Sequence, residues 1–207
     1  MSKHIKISII IILSILILVE IFTVGYFINK RINDEKYDER LTEILSDDKE
    51  IERKWLIKKE DIPYSLTGSD VYKYEIKQTY LCFDPEMRVR EYNNGETYEY
   101  TIKNNMSSDG LVRDEFNMDI TKEQYDNLIK KQEGRTINKT RYQFYEEGQL
   151  IAIDIFHGEL DGLAYMEIEF KNEEESNNFE DPKWVVKDVT NDINYKNGHL
   201  ARYGIPE

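Results

Sequence analysis

Cysteine occurs once in 207 residues, at Cys82, so no intrachain disulfide can form and no thiolate cage can hold zinc. Cys82 reads as a small half-buried hydrophobe. Histidine is almost as scarce: His4, His157 and His199 are scattered without H-E-x-x-H spacing, which excludes the usual zinc-hydrolase arrangement. The chain also lacks a G-x-x-x-x-G-K-S/T loop, a G-x-S-x-G elbow and a G-x-G-x-x-G turn. P-loop, serine-hydrolase and dinucleotide-binding readings go with them. Positive charge is in deficit, with a formal net charge of -13 and no basic run outside the flanks of one apolar stretch. General affinity for nucleic acid is thereby excluded, and an anionic ligand must be drawn in by a local basic cluster.

The apolar stretch is at the front. Residues Ile7 to Ile28 are almost all Ile, Leu, Val and Phe, and as a helix at ~1.5 Å per residue they cover the ~30 Å of bilayer hydrocarbon. Glu20 interrupts the run at a cost of roughly 2.5 to 3.5 kcal/mol, which the aliphatics outweigh. No A-x-A-like site follows, so an uncleaved single-pass anchor in the lipid bilayer is expected rather than a signal peptide. Lys3 and Lys6 precede it while Lys30, Arg31, Lys36 and Arg40 follow, which leaves the topology open. The expected organisation is a short tail over 1–6, a transmembrane helix over 7–28, a charged juxtamembrane segment over 29–48 and one folded domain over 49–207. Within the juxtamembrane segment Tyr37, Leu41 and Leu45 recur at helical spacing.

Past Lys49 the pattern changes to alternating segments divided by turn chemistry, which predicts a mainly antiparallel β domain. Eight strands are expected, near Glu50 to Ile57, Tyr72 to Phe83, Glu86 to Asn93, Thr97 to Asn104, Leu111 to Ile120, Asn138 to Glu146, Gln149 to His157 and Leu163 to Lys171. Asn93-Asn94-Gly95-Glu96 and Glu146-Glu147-Gly148-Gln149 supply hairpin residues. Thr121-x-x-Gln124 has the form of a capping box, with Gly134 as a C-cap, and a second short helix is expected over Glu173 to Phe179. One face of these strands carries Arg88 and Arg90, Lys103, Arg113 with Glu115, Lys139 with Arg141, Asp154, and Glu167 with Glu169. The other carries Val89, Ile102, Val112, Phe116, Tyr142, Phe144, Ile153 and Ile155. A closed sheet is the economical arrangement, because closure removes the edges. Alternation alone does not say which face is inside. A charged lumen makes sense only if water, a metal and an anion fill it.

The first of these strands is the most informative. As a strand, Glu50-Ile51-Glu52-Arg53-Lys54 puts two carboxylates and an ammonium on one face and Ile51 and Trp55 on the other. A carboxylate pair suits a hard divalent cation, and an adjacent ammonium suits a phosphate held by that cation.

From Lys49 to Pro206 the chain resembles the CYTH domain, the triphosphate tunnel metalloenzymes. The resemblance rests on E-x-E-x-K at Glu50, Glu52 and Lys54. It continues through Gln78-Thr79-Tyr80-Leu81, Arg88-Val89-Arg90, Thr101-Ile102-Lys103, Lys139-Thr140-Arg141-Tyr142, Ile153-Asp154-Ile155-Phe156-His157-Gly158 and Glu167-Ile168-Glu169-Phe170, in the family's order. It implies a mainly β (α+β) fold, an eight-stranded antiparallel closed β-barrel tunnel with flanking helices, here preceded by the N-terminal transmembrane helix. It also implies that Glu50, Glu52, Glu167 and Glu169, with Asp154 nearby, hold Mg2+ or Mn2+. By the same resemblance Arg88, Arg90, Lys103, Arg113, Lys139 and Arg141 grip phosphate oxygens, and Lys54 and Tyr80 lie close to the reacting phosphate. The implied activity is metal-dependent hydrolysis of a triphosphate. Trp55 points away from Glu52 and Lys54, and Trp184 reads as an anchor for the C-terminal segment, which favours inorganic tripolyphosphate over nucleoside triphosphates such as ATP. A class IV type adenylate cyclase and a membrane-tethered binding module for polyphosphate or nucleotide are the alternatives. Two positions depart from the family: Asn117 stands where many relatives have an acid, and Ile193-Asn194 where bacterial relatives often have two basic residues.

Overall fold

The computed structural model describes residue 23 and residues 25–36, 49–105, 112–146 and 148–206, with the backbone alone for 49, 50, 104, 105 and 112–114. Nine strands are present among them. They are β1 (Lys49–Leu56), β2 (Tyr72–Phe83), β3 (Glu86–Tyr92), β4 (Thr97–Asn105), β5 (Val112–Asp119), β6 (Ile137–Glu146), β7 (Gln149–His157), β8 (Ala164–Glu169) and β9 (Lys187–Asp188). Every ladder is antiparallel. Residues 25–36 form a helix, α1. Three more helices follow: α2 (Lys122–Leu128), α3 (Glu173–Asn178) and α4 (Asn197–Tyr203).

The expected eight-stranded closed barrel is corrected. The sheet runs open from β5 to β9 in the order β5-β4-β3-β2-β6-β7-β8-β1-β9. It curls so that β5 meets β1 through a seam of three residue pairs, Lys49↔Asp114, Glu50↔Arg113 and Ile51↔Val112. The physical reason is competition for one edge of β1. Its other edge is taken by β8, and β9 occupies Trp55 and Leu56, so β5 is left with the first three residues only. The expected transmembrane helix is not found either: no helix among the described residues is long and apolar enough to cross a membrane. Most of the predicted span 7–28, and the stripe of Tyr37, Leu41 and Leu45, lie outside the described residues.

The apolar face of the curled sheet points outward and is covered. Ile51, Trp55, Phe144, Ile151, Ile153, Met166 and Ile168 form one cluster, roofed by Ile62, Tyr64, Leu66, Phe179 and Trp184. Arg53 fastens this roof: its guanidinium stacks on Trp55, donates to the Phe179 carbonyl at 2.7 Å and pairs with Asp181 and Asp188 at 2.5 Å each. A second outer cluster, Val89, Ile120 and Tyr125, lies under α2. The predicted capping box is present there, with Thr121 and Gln124 bonded reciprocally. In the four-residue loop between β3 and β4, Asn93 and Asn94 both take positive φ, 49° and 58°, as the central residues of a turn in which the Gly95 amide donates to the Tyr92 carbonyl at 3.0 Å.

A third cluster closes one end of the curled sheet from within. Tyr80, Ile137, Phe156 and Tyr165 meet Leu200 and Ala201 of α4, all at 1% exposure or less. Gly134 serves this closure and is not a helix C-cap as expected, since α2 ends at Leu128 and a 3-10 turn, Ile129–Lys131, follows. At φ +70°, a Cβ on Gly134 would lie 2.5 Å from the Ala201 carbonyl oxygen. The neighbouring Arg135 amide donates to that same oxygen at 2.8 Å. Gly134→Ala is therefore expected to cost more than about 1 kcal/mol and lower Tm by at least about 2 to 4 °C. Gly148→Ala, at φ +86° with nothing within 4 Å, should cost less. Equal losses in thermal unfolding would show that the backbone contact with α4 is unimportant.

Candidate active site

Alternation along the strands puts the charged face inside. Glu52 and Lys54 from β1, Gln78 from β2, Glu86, Arg88 and Arg90 from β3, Glu99 and Lys103 from β4, Glu115 from β5, Lys139 and Arg141 from β6, and Glu167 and Glu169 from β8 line one cavity of about 390 Å3. Lys196 and Asn197, at the start of α4, complete it. Seven cationic side chains thus face six carboxylates. Enclosed charge of this density is tolerable only when each group is paired.

The pairing forms two knots. In the first, Glu115 accepts from Lys103 at 2.6 Å and lies 3.6 Å from both Arg88 and Arg90. Burial pushes the Glu115 carboxyl up, but Lys103, Arg88 and Arg90 override it and hold it well below the usual carboxylate range. Arg88 also pairs with Glu86, and Arg90 with Glu99, each at 3.2 Å. The second knot is built on Asp154, which is fully buried and receives Lys139 at 2.5 Å and both Nε and Nη2 of Arg141 at 2.8 and 2.7 Å. Arg141 continues to Glu167, which pairs with Lys54 at 2.9 Å. Lys54 reaches Glu52 at 3.3 Å and lies 5.3 Å from the centre of the Tyr165 ring. Burial acts to lower the Lys54 ammonium, yet Glu167 and Glu52 raise it above the ordinary lysine value. Lys139 goes the other way: burial and the adjacent Arg141 outweigh Asp154 and bring it down to about 8.

Glu52 and Glu169 face each other directly across the β1–β8 ladder. Like charges placed opposite one another raise the energy of the sheet, and a cation between them relieves it. Glu50 stands two residues before Glu52 on β1, opposite Arg113 in the seam; the side chains of Glu50 and Arg113 lie outside the described atoms. Among the described residues no group of three or more His, Cys, Asp or Glu is arranged to hold a metal. Two carboxylates nevertheless suffice for Mg2+, which keeps several waters and binds through one or two carboxylates together with substrate phosphates.

Most of the predicted residues are brought together: Glu52, Lys54, Arg88, Arg90, Lys103, Lys139, Arg141, Glu167 and Glu169 share the cavity. Two are placed differently. Tyr80 is not on the cavity wall; it is fully buried at the closed end, stacked on Phe83 at 5.3 Å, with its hydroxyl accepting from Gln78 at 2.7 Å. Asp154 lies behind the wall, its oxygens taken up by Lys139 and Arg141, so it orients those cations instead of offering a ligand. The expectation missed Glu86, Glu99, Gln78, Lys196 and Asn197. Glu86 and Glu99 had a signal, since they share strand faces with Arg88 and with Thr101 and Lys103.

The family model for the CYTH domain matches residues 48–202. The chain belongs to that family. The inorganic triphosphatase of Nitrosomonas europaea is 35% identical over 156 residues, covering 73% of this chain and 96% of its own. The inorganic triphosphatase of Acetivibrio thermocellus is 32% identical over 155 residues, covering 74% and 94%. A crystal structure of an inorganic triphosphatase superposes with a TM-score of 0.53 at 33% identity, over 73% of this chain and 93% of that one.

The lowered Lys139 sets a stability slope in this CYTH domain. Below about pH 8 both folded and unfolded chains carry the proton, and the full cost of burying the charge is present. Between about 8 and the ordinary value of 10.5 the unfolded chain binds more protons, so this group's contribution makes the fold more stable as pH rises. Denaturant unfolding at pH 7.5 and 9.5 should show a rise in wild type that Lys139→Met lacks. An identical slope in both proteins would rule Lys139 out as its source.

Proposed function

We propose that this chain hydrolyses the terminal phosphoanhydride bond of inorganic tripolyphosphate, with nucleoside triphosphates as weaker substrates, and that it uses Mg2+ or Mn2+. The observation that carries the reading is the cavity itself: cations from β1, β3, β4 and β6 converge on a closed-ended space, and the carboxylates that pair with Lys54, Arg88, Arg90 and Lys103 face that space, where a polyphosphate can replace them. The two inorganic triphosphatases similar to this chain support it. Phosphoryl transfer asks a protein chiefly for positioning and charge neutralisation, and those are what this lining offers.

Arg88, Arg90 and Lys103 on β3 and β4, and Lys139 and Arg141 on β6 with only β2 between, would grip phosphate oxygens; arginine does so through paired N–H donors. Asp154 holds Lys139 and Arg141 in advance, so their side chains need not be ordered when the anion arrives. Lys54 is charged at every working pH and sits nearest the carboxylate pair, where it neutralises the phosphoryl group under attack. Glu52 and Glu169, with Glu50 on the same strand, are the residues that would hold the divalent cation. Bound there, the cation supplies Lewis-acid neutralisation of phosphate oxygens that side chains of this lining cannot provide alone.

The test is phosphate release from tripolyphosphate and from ATP in the presence of Mg2+, Mn2+ or EDTA. Release should need the metal and favour tripolyphosphate, and Glu52→Gln or Glu169→Gln should lower kcat by about a hundredfold or more with the fold retained. Full activity in either variant would remove the metal assignment. Formation of 3′,5′-cyclic AMP from ATP without orthophosphate, or tight binding with no turnover, would replace the hydrolase reading.

A further inference from the structure

The closed end of the cavity, packed by Tyr80, Tyr165, Leu200 and Ala201, leaves the opposite end as the way in. The strands show where that mouth lies. On β2 the lining residues are Tyr74, Ile76 and Gln78, and on β6 they are Lys139, Arg141 and Gln143. One step further out in the same alternation, away from α4, stand Tyr72 and Tyr145, and Tyr72 pairs with Gln143 across the ladder. These two tyrosines mark the rim.

Helix α1 lies against both. The Tyr72 hydroxyl donates to Asp34 at 2.9 Å, the Lys36 ammonium is 5.9 Å from the centre of the Tyr145 ring, and Asn33 donates to Asp70 at 3.3 Å. Three contacts from one helix end, reaching two rim tyrosines on neighbouring strands, place α1 beside the opening. The helix also precedes the residues matched by the family model, which begin at 48.

We propose that α1 is a strap at the mouth of the cavity that makes it selective for tripolyphosphate over substrates carrying an organic group on the last phosphate. The inference rests on the triphosphatase reading above. Three phosphates can be gripped by the cations of the lining. A nucleoside on the far phosphate, unable to pass the closed end, must project past Tyr72 and Tyr145 into the position α1 holds. The strap is held by hydrogen bonds and one cation–π contact at partly exposed groups, each individually modest, so it discriminates by about tenfold and does not seal the site.

The experiment uses the full chain. Wild type, Tyr72→Phe, and a triple variant Asn33→Ala, Asp34→Ala, Lys36→Ala are compared by kcat/KM for tripolyphosphate and for ATP with the same metal. These positions lie outside the cavity lining, and all three α1 residues are partly or fully exposed. The triple variant should raise kcat/KM for ATP about tenfold and leave that for tripolyphosphate within about twofold, with Tyr72→Phe moving the same way by less. An unchanged ratio of the two substrates, an equal rise for both, or a loss for both would each overturn the strap. A wild type that releases nothing from tripolyphosphate would instead overturn the triphosphatase reading and the strap with it; activity with an unmoved ratio sinks the strap alone.

Discussion

Everything in this protein is arranged around the cost of keeping charge away from bulk water. Seven cations and six carboxylates line a single cavity, with Asp154 buried behind them, and no member could stand there alone. An isolated ion moved into such a space loses hydration worth several kcal/mol, so each side chain is stable only through its neighbours. The result is mutual dependence. Lys103 needs Glu115, Arg141 needs Asp154, and Lys54 needs Glu167. Strand register is fixed by the same need, because a slip of one residue would turn the charged set outward and the apolar set inward.

That interior dictates an inside-out arrangement of hydrophobic burial. The apolar side chains face outward, so the chain has to bring material to cover them. The segment around Phe179 and Trp184 roofs Trp55 and Ile153, and α2 covers Val89. Arg53, on the strand that also carries Lys54, ties the roof to the wall through Asp181 and Asp188. One strand therefore serves both layers, its even positions building the cavity and its odd positions the outer core. Closure of the far end follows the same logic: α4 contributes Leu200 and Ala201, and only a glycine at 134 lets the backbones come close enough.

The strands and most of the cavity were legible in the sequence because period-two alternation and turn residues are local signals. β2 and β7 fall where the alternation puts them, Tyr72 to Phe83 and Gln149 to His157. What was not legible depends on partners distant in the chain. Nothing in Lys187-Asp188 announces a strand, yet its pairing with Trp55 and Leu56 leaves the sheet open between β5 and β9. α4 carries no apolar stripe long enough to be read as a helix before its packing is known. The family resemblance put Asp154 beside the metal ligands; that its oxygens go to Lys139 and Arg141 depends on β6–β7 register. Tyr80 stands on the cavity-facing parity but at a height where the space is already filled by α4, and height is invisible to a face-by-face reading.

The resident carboxylates have a last consequence, for turnover. Lys54, Arg88, Arg90, Lys103, Lys139 and Arg141 already have anionic partners, so an incoming anion competes with groups tethered at high local concentration. In the proposed reaction a chain of three phosphates would engage several cations at once and win by its valency. Breaking the terminal anhydride would divide that valency between two unlinked fragments, each facing the full set of tethered competitors. The pairs of Glu115, Glu167 and Glu86 with Lys103, Lys54 and Arg88 would then favour expulsion of what is left.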